Sequence, residues 1–210
     1  MEPTVLVVGS HCAPVCDLLT GQNLEPTRKV LIESKETGDS VTGSCERRIV
    51  VGRSSVSKPA NQGMESTGSR SWSNGLQEIR DELDRTDFVI MATNLRTASG
   101  TYFSRYIARI ARGPSPLIFS LVAGESHSGN TLQQSRIDGA RELLSSKSDF
   151  LMSIPGGTDS VNRELAALVE KMVHRISHGT DTIGNLSRLV DSSPRSRHLL
   201  RALTHRREEF

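Results

Sequence analysis

Aromatic residues are scarce, at 4% of the 210-residue chain. That argues against a base-stacking surface for nucleic acid. Charge of one sign is also nearly absent in excess. The formal net charge of +2 is too small to demand a nucleic-acid or membrane partner. There are three cysteines, Cys12, Cys16 and Cys45, an odd number without framework spacing. The expectation is reduced, packed thiols in a cytosol, not a secreted disulfide scaffold. No apolar run is long enough to span a bilayer, and no charged leader with an apolar stretch precedes the first strand. These absences point to a soluble cytoplasmic chain of one domain with a terminal extension.

What is present alternates. Short apolar runs rich in Val and Ile read as strands covered on both faces: "TVLVV" (4–8), "KVLIE" (29–33), "RIVV" (48–51), "FVIMA" (88–92), "LIFSLV" (117–122) and "FLMSI" (150–154). Helical periodicity appears between the later ones. "SNGLQEIRDELDR" aligns Leu76, Ile79 and Leu83, and "FSRYIARIAR" aligns Phe103, Tyr106, Ile107 and Ile110. "IDGARELLSS" is a weaker pattern. "VNRELAALVEKMVHRIS" carries a stripe from Val161 to Ile176, with Asp159 or Ser160 available as N-cap. The order implies a Rossmann-like α/β fold, a mostly parallel sheet with helices on both faces. Ligands of such sheets bind at the carboxyl ends of strands.

Two stretches interrupt or end this pattern. Residues 52–75 are rich in Ser and Gly and read either as a surface insertion or as a loop that folds over a ligand. Residues 181–210 read as a basic C-terminal extension beyond a domain of residues 1–180.

Three loops follow strands and carry chemistry-bearing residues. In the first, "VVGSHCAPVCDLL", Gly9 permits a tight turn that aims backbone N–H groups at a phosphate. It lacks the further glycines of a dinucleotide fingerprint. His11, Cys12 and Cys16 lack a second ligand pair at metal spacing, so packed thiols are the better reading. The second loop runs from Thr93 through Arg96, Thr97, Ala98, Ser99 and Gly100 to Thr101. Small residues let amides converge on an anion, the hydroxyls add donors, and the following helix aims its positive end there. An ordinary loop capped by Thr97 or Ser99 stands beside that reading. In the third, "GESHS" (124–128) falls one glycine short of a nucleophile elbow at Ser126, which makes a serine hydrolase a distant alternative.

The segment order resembles the nucleotide-binding domain of the tubulin/FtsZ superfamily. "DFVIMATNLRTASGTYFSRYIARIA" lies without a gap on the FtsZ strand, the Gly-Gly-Gly-Thr-Gly-Thr-Gly signature and the following helix. Asp87 falls on the family's aspartate, and "RTASGTY" (96–102) on the signature, where Gly100 and Thr101 match and Ser99 replaces threonine. "IDGARELLSSKSDFLMSIPGG" resembles a second family segment. "RRIVVG" and the loop after it fall where the family carries its γ-phosphate loop, with Gly68 on one of its glycines.

The resemblance implies a tubulin/FtsZ GTPase-type domain without the second domain, in a cytoskeletal or cell-division system. It implies GTP or GDP as ligand, with or without magnesium, held by Gly9, Ser10, Gly68, Arg96, Thr97, Ala98, Ser99, Gly100 and Thr101. There are departures. "SHCAP" (10–14) replaces the rest of the first phosphate loop, Gly156 stands where an asparagine would contact guanine, and Glu125 is displaced from the ribose position. FtsZ hydrolyses GTP when an acidic loop of one subunit meets the nucleotide of the next. Here "LVDSSPRS" (189–196) offers Asp191 as the one catalytic acid, with Pro194 in the other place. The implied protein binds guanine nucleotide with hydrolysis weakened or lost. The alternative is a pseudo-GTPase that regulates a true FtsZ or another protein partner.

Overall fold

The computed structural model describes residues 3–20, 24, 27–34, 44–52, 66–111, 116–124, 131–154 and 160–178. Six strands form one sheet: β1 (Thr4–Val8), β2 (Arg28–Ser34), β3 (Arg47–Val51), β4 (Phe88–Asn94), β5 (Leu117–Ala123) and β6 (Phe150–Ile154). Every pairing is parallel, in the order β3-β2-β1-β4-β5-β6. Five α-helices accompany them: α1 (Ala13–Thr20), α2 (Ser66–Asp84), α3 (Ala98–Ile110), α4 (Thr131–Lys147) and α5 (Val161–His178). A short 3-10 turn at Ser10–Cys12 leads into α1.

The strands point alternate residues to opposite faces, and each face is sealed by its own helices. Val5, Val7, Ile90, Ala92, Phe119 and Leu121 pack with Cys16 and Leu19 of α1 and Leu165 and Val169 of α5. Leu6, Val8, Val89, Met91 and Val122 pack with Ile79 of α2, Phe103 and Ile107 of α3, and Ile137 and Leu144 of α4. Central strands buried on both sides have no room for polar alternation, so they read as unbroken apolar runs. The edge strand β3 does alternate, with Arg48 and Val50 exposed.

That edge is held by ion pairs. Glu82 of α2 is buried and meets Arg28 of β2 at 3.0 Å and Arg47 of β3 at 2.8 Å. Arg48 pairs with buried Glu33. An edge clamped under α2 presents little free backbone for pairing with another chain.

The expected elements are all present, with several boundaries moved. α2 begins at Ser66, so residues 66–75 are helical and not loop. α3 begins at Ala98, five residues before its expected periodic start at Phe103, and β4 runs on to Asn94. The expectation of reduced thiols fails for two of the three cysteines. Cys16 and Cys45 form a disulfide, and only Cys12 is free. The link is joined by Thr20 Oγ1 donating to the Ser44 carbonyl (3.0 Å) and Ser44 N–H donating to Asp17 Oδ1 (2.8 Å). Among the described residues no helix is long and apolar enough to cross a membrane.

Candidate functional site

The order of strands reverses direction between β1 and β4, which makes their carboxyl ends the switch point of the sheet. Two loops meet there. The first follows β1. Gly9 has φ of 98°, a left-handed conformation that favours glycine. Its N–H donates to the Ile32 carbonyl of β2 (2.8 Å), and its carbonyl accepts from Cys12 N–H (2.9 Å). A Cβ on Gly9 would sit 3.2 Å from both Gly100 N and Ser99 Oγ. The absence of a side chain therefore lets the first loop touch the start of α3.

The second loop is only Leu95–Thr97, shorter than the sequence suggests. Thr97 is the N-cap of α3, and its hydroxyl accepts from Gly100 N–H at 3.0 Å. The same hydroxyl donates to the Asn94 carbonyl (2.9 Å), and Thr101 Oγ1 donates to the Leu95 carbonyl (2.7 Å). These two hydroxyls were expected to serve an anion; their protons are used inside the loop. The N–H groups of Ala98 and Ser99 find no partner among the described residues. They are first-turn amides of a 13-residue helix and point its positive end outward. The Ser10 hydroxyl is buried without a hydrogen-bond partner.

A cavity of about 620 Å³ opens beside this helix start. That is within the size range of small-molecule sites. Its wall includes Arg96, Ala98, Ser99 and Thr101, together with His11, Tyr102, Arg105 and Arg136. Three guanidinium side chains thus share one cavity, and none of its lining residues among those described is a carboxylate.

The nine residues expected to hold nucleotide divide clearly. Gly9, Ser10, Arg96, Thr97, Ala98, Ser99, Gly100 and Thr101 gather at the β1–β4 end of the sheet. Gly68, expected in a loop, lies inside α2. Asp191, Pro194, Gly156, Glu125, Ser126 and His127, with the extension 181–210, lie outside the described residues. The first loop is less crowded than its letters suggest. Cys12 is fully buried in the core and Pro14 is exposed on α1, so His11 alone of the three reaches the cavity. Sequence reading missed Asn162 of α5, whose side-chain amide donates to the His11 carbonyl (3.1 Å) and braces the loop. It also missed Arg105 and Arg136. The signal for Arg105 was available: Ala98, Thr101, Tyr102 and Arg105 share the α3 face opposite Phe103 and Ile107.

Cys12 is a packed thiol. Burial pushes its pKa from 9.0 up to about 12, against a smaller lowering by a hydrogen bond from the Asn94 backbone. The folded value is raised, so the native state retains a proton that the unfolded chain loses above about pH 9. Stability is therefore expected to fall from about pH 9 to about pH 12, at most about 1.4 kcal/mol per pH unit. Denaturant titrations of the protein and of Cys12→Ala across that window check this. An equal pH slope in both proteins would remove Cys12 as the cause.

Comparison of the sequence with family models and with curated proteins finds no match. Solved structures do match. An FtsZ from M. jannaschii, solved as a mutant, superposes with a TM-score of 0.67 at 17% identity, over 85% of this chain and 57% of that one. CetZ from Methanosaeta thermophila gives 0.62 at 15% identity, over 93% of this chain and 61% of that one. TubZ of the Clostridium botulinum phage c-st gives 0.58 at 11% identity, over 85% and 61%. The chain has a tubulin/FtsZ-like fold, similar to FtsZ/tubulin-like cytoskeletal GTPases, and spans about three-fifths of the length of these structures.

Proposed function

We propose that this tubulin/FtsZ-like domain binds a guanine nucleotide in the cytoplasm, within a cytoskeletal or cell-division system, with hydrolysis weakened or lost. The observation that carries the reading is the pair of unpartnered amides at Ala98 and Ser99, set at the switch point beside an arginine-lined cavity. The aligned amides and guanidinium groups suit a polyphosphate, and the cavity has room for one. The preference for guanine follows the likeness to FtsZ.

Weak hydrolysis follows from the sequence. Phosphoryl transfer needs a group to orient the attacking water, and the candidate acidic loop "LVDSSPRS" keeps Asp191 with Pro194 in the other acid's place. The second reading is a non-catalytic pseudo-GTPase that acts by binding a true FtsZ or another protein partner.

Calorimetric titration with GTP, GDP and ATP tests the proposal. Dissociation constants in the micromolar range support it; no heat at millimolar nucleotide sinks it. Phosphate release from GTP is expected to stay near the uncatalysed rate. Arg96→Ala is expected to weaken GTP binding by about 1–3 kcal/mol while leaving guanosine unaffected. Equal losses for GTP and guanosine would take Arg96 off the phosphate.

A further inference from the structure

Resting on the nucleotide reading above, we infer that Asn162 of α5 is a positioning residue for this site. Its hydrogen bond to the His11 carbonyl sets the turn after β1 against the start of α3, and so sets the affinity for the phosphates. Asparagine is a poor helix former, because its side chain competes for nearby backbone groups. Asn162 nevertheless stands second in α5. Its amide donates, at 3.1 Å, to a carbonyl 151 residues earlier in the chain. The local cost of the residue is offset by a contact between distant elements.

The turn is otherwise tied through Gly9, which donates its N–H to the Ile32 carbonyl and accepts from the Cys12 N–H. These bonds fix where the turn begins and close it. The Asn162 bond catches its middle residue. Its support is firm, because Leu165 and Val169 of α5 are buried in one core with Val15, Cys16 and Leu19 of α1. What the turn carries bears on the ligand. The Ser10 hydroxyl is buried without a hydrogen-bond partner, and His11 lines the cavity. Gly9 backs directly onto the start of α3, with Gly100 N and Ser99 Oγ each 3.2 Å from where a Cβ would stand. A displacement of the turn therefore changes where Ser10 and His11 stand relative to the amides of Ala98 and Ser99. Hydrogen bonds weaken steeply with distance and angle, and a binding constellation must be held within about 0.5 Å.

Titration of the intact chain with GTP and with inorganic tripolyphosphate, beside Asn162→Ala and Asn162→Leu, tests the inference. Leucine matches the size of asparagine without a donor, so the pair separates the lost bond from lost bulk. Both variants are expected to bind both probes about three- to tenfold more weakly, with urea midpoints close to the parent's. Hydrogen exchange supplies a readout that needs no ligand. The Cys12 amide, which closes the turn, is expected to exchange about tenfold faster in the variants, while the amides of β1 keep the parent's rates. Equal losses for the two probes together with faster Cys12 exchange support the positioning role. A loss confined to GTP would place Asn162 on the nucleoside and overturn it. Unchanged affinity, or weakened affinity with unchanged Cys12 exchange, overturns it and leaves the nucleotide reading standing. A parent chain that binds neither probe overturns both.

Discussion

Gly100→Ala is expected to lower the stability of the fold by about 3 kcal/mol or more, whether or not nucleotide is present. The reason is the space around its Cα. A Cβ at Gly100 would overlap the carbonyl oxygen of Asn94 and lie 2.6 Å from Thr97 Oγ1 and 3.0 Å from Thr93 Oγ1. These are the atoms of the turn itself. The Asn94 carbonyl accepts from both Thr97 N–H and Thr97 Oγ1, and the Thr97 hydroxyl caps α3. Backbone cannot yield as a flexible side-chain tip can, so β4 and α3 must separate. Gly139, inside α4, provides the control. Nothing lies within 4 Å of a Cβ there, so Gly139→Ala is expected to stabilise by about 0.5–1 kcal/mol through helix propensity alone. Urea midpoints of the two variants measure the contrast. A Gly100→Ala protein as stable as its parent would show that the turn relaxes and would return Gly100 to a purely ligand-facing role.

The same residue shows why the helix start was hard to read. Gly100 and Ser99 are poor helix formers, and the first turn of α3 carries no apolar stripe until Phe103. The signal lies in Thr97, whose cap geometry the sequence allowed but did not select over Ser99. α2 repeats the point. Its Ser- and Gly-rich start reads as loop on propensity. Farther along, the helix is anchored by Ile79, Leu83 and the buried Glu82 pairs, and packing outweighs local preference. The strands were easier to read. β1 and β6 have the bounds their apolar runs suggest: β1 is buried throughout, and β6, at the sheet's edge, is half-buried. The site was half legible. The residues after β1 and β4 could be singled out by their place after the strands and by their resemblance to FtsZ, and the structure brings them together. Arg105 and Arg136 come from two helices whose packing no local pattern reveals.

Reduction of the protein is expected to cost about 2–4 kcal/mol of stability, the usual range for a disulfide that closes a loop of this length. Cys16 and Cys45 are 29 residues apart, and neither spacing nor count pointed to them. The bridge acts where the fold needs it. It ties the segment entering edge strand β3 to α1, and α1 leads back through the 3-10 turn to Gly9. Two side-chain hydrogen bonds at Ser44 share the task, so the reduced chain retains part of the attachment. Urea unfolding with and without a thiol reductant measures the loss, and Cys16→Ser should match the reduced protein and respond no further to reductant. Thiol counting on the denatured chain gives an independent check: one reactive group, Cys12, when oxidised and three when reduced. Three reactive thiols in protein never exposed to reductant, or a midpoint unmoved by reduction, would show that the two sulfurs pack without bonding. In a reducing cytoplasm the same numbers predict a chain held by its core and ion pairs alone. The loop after β1 would then be anchored through the Gly9–Ile32 hydrogen bond and Asn162, which do not depend on the bridge.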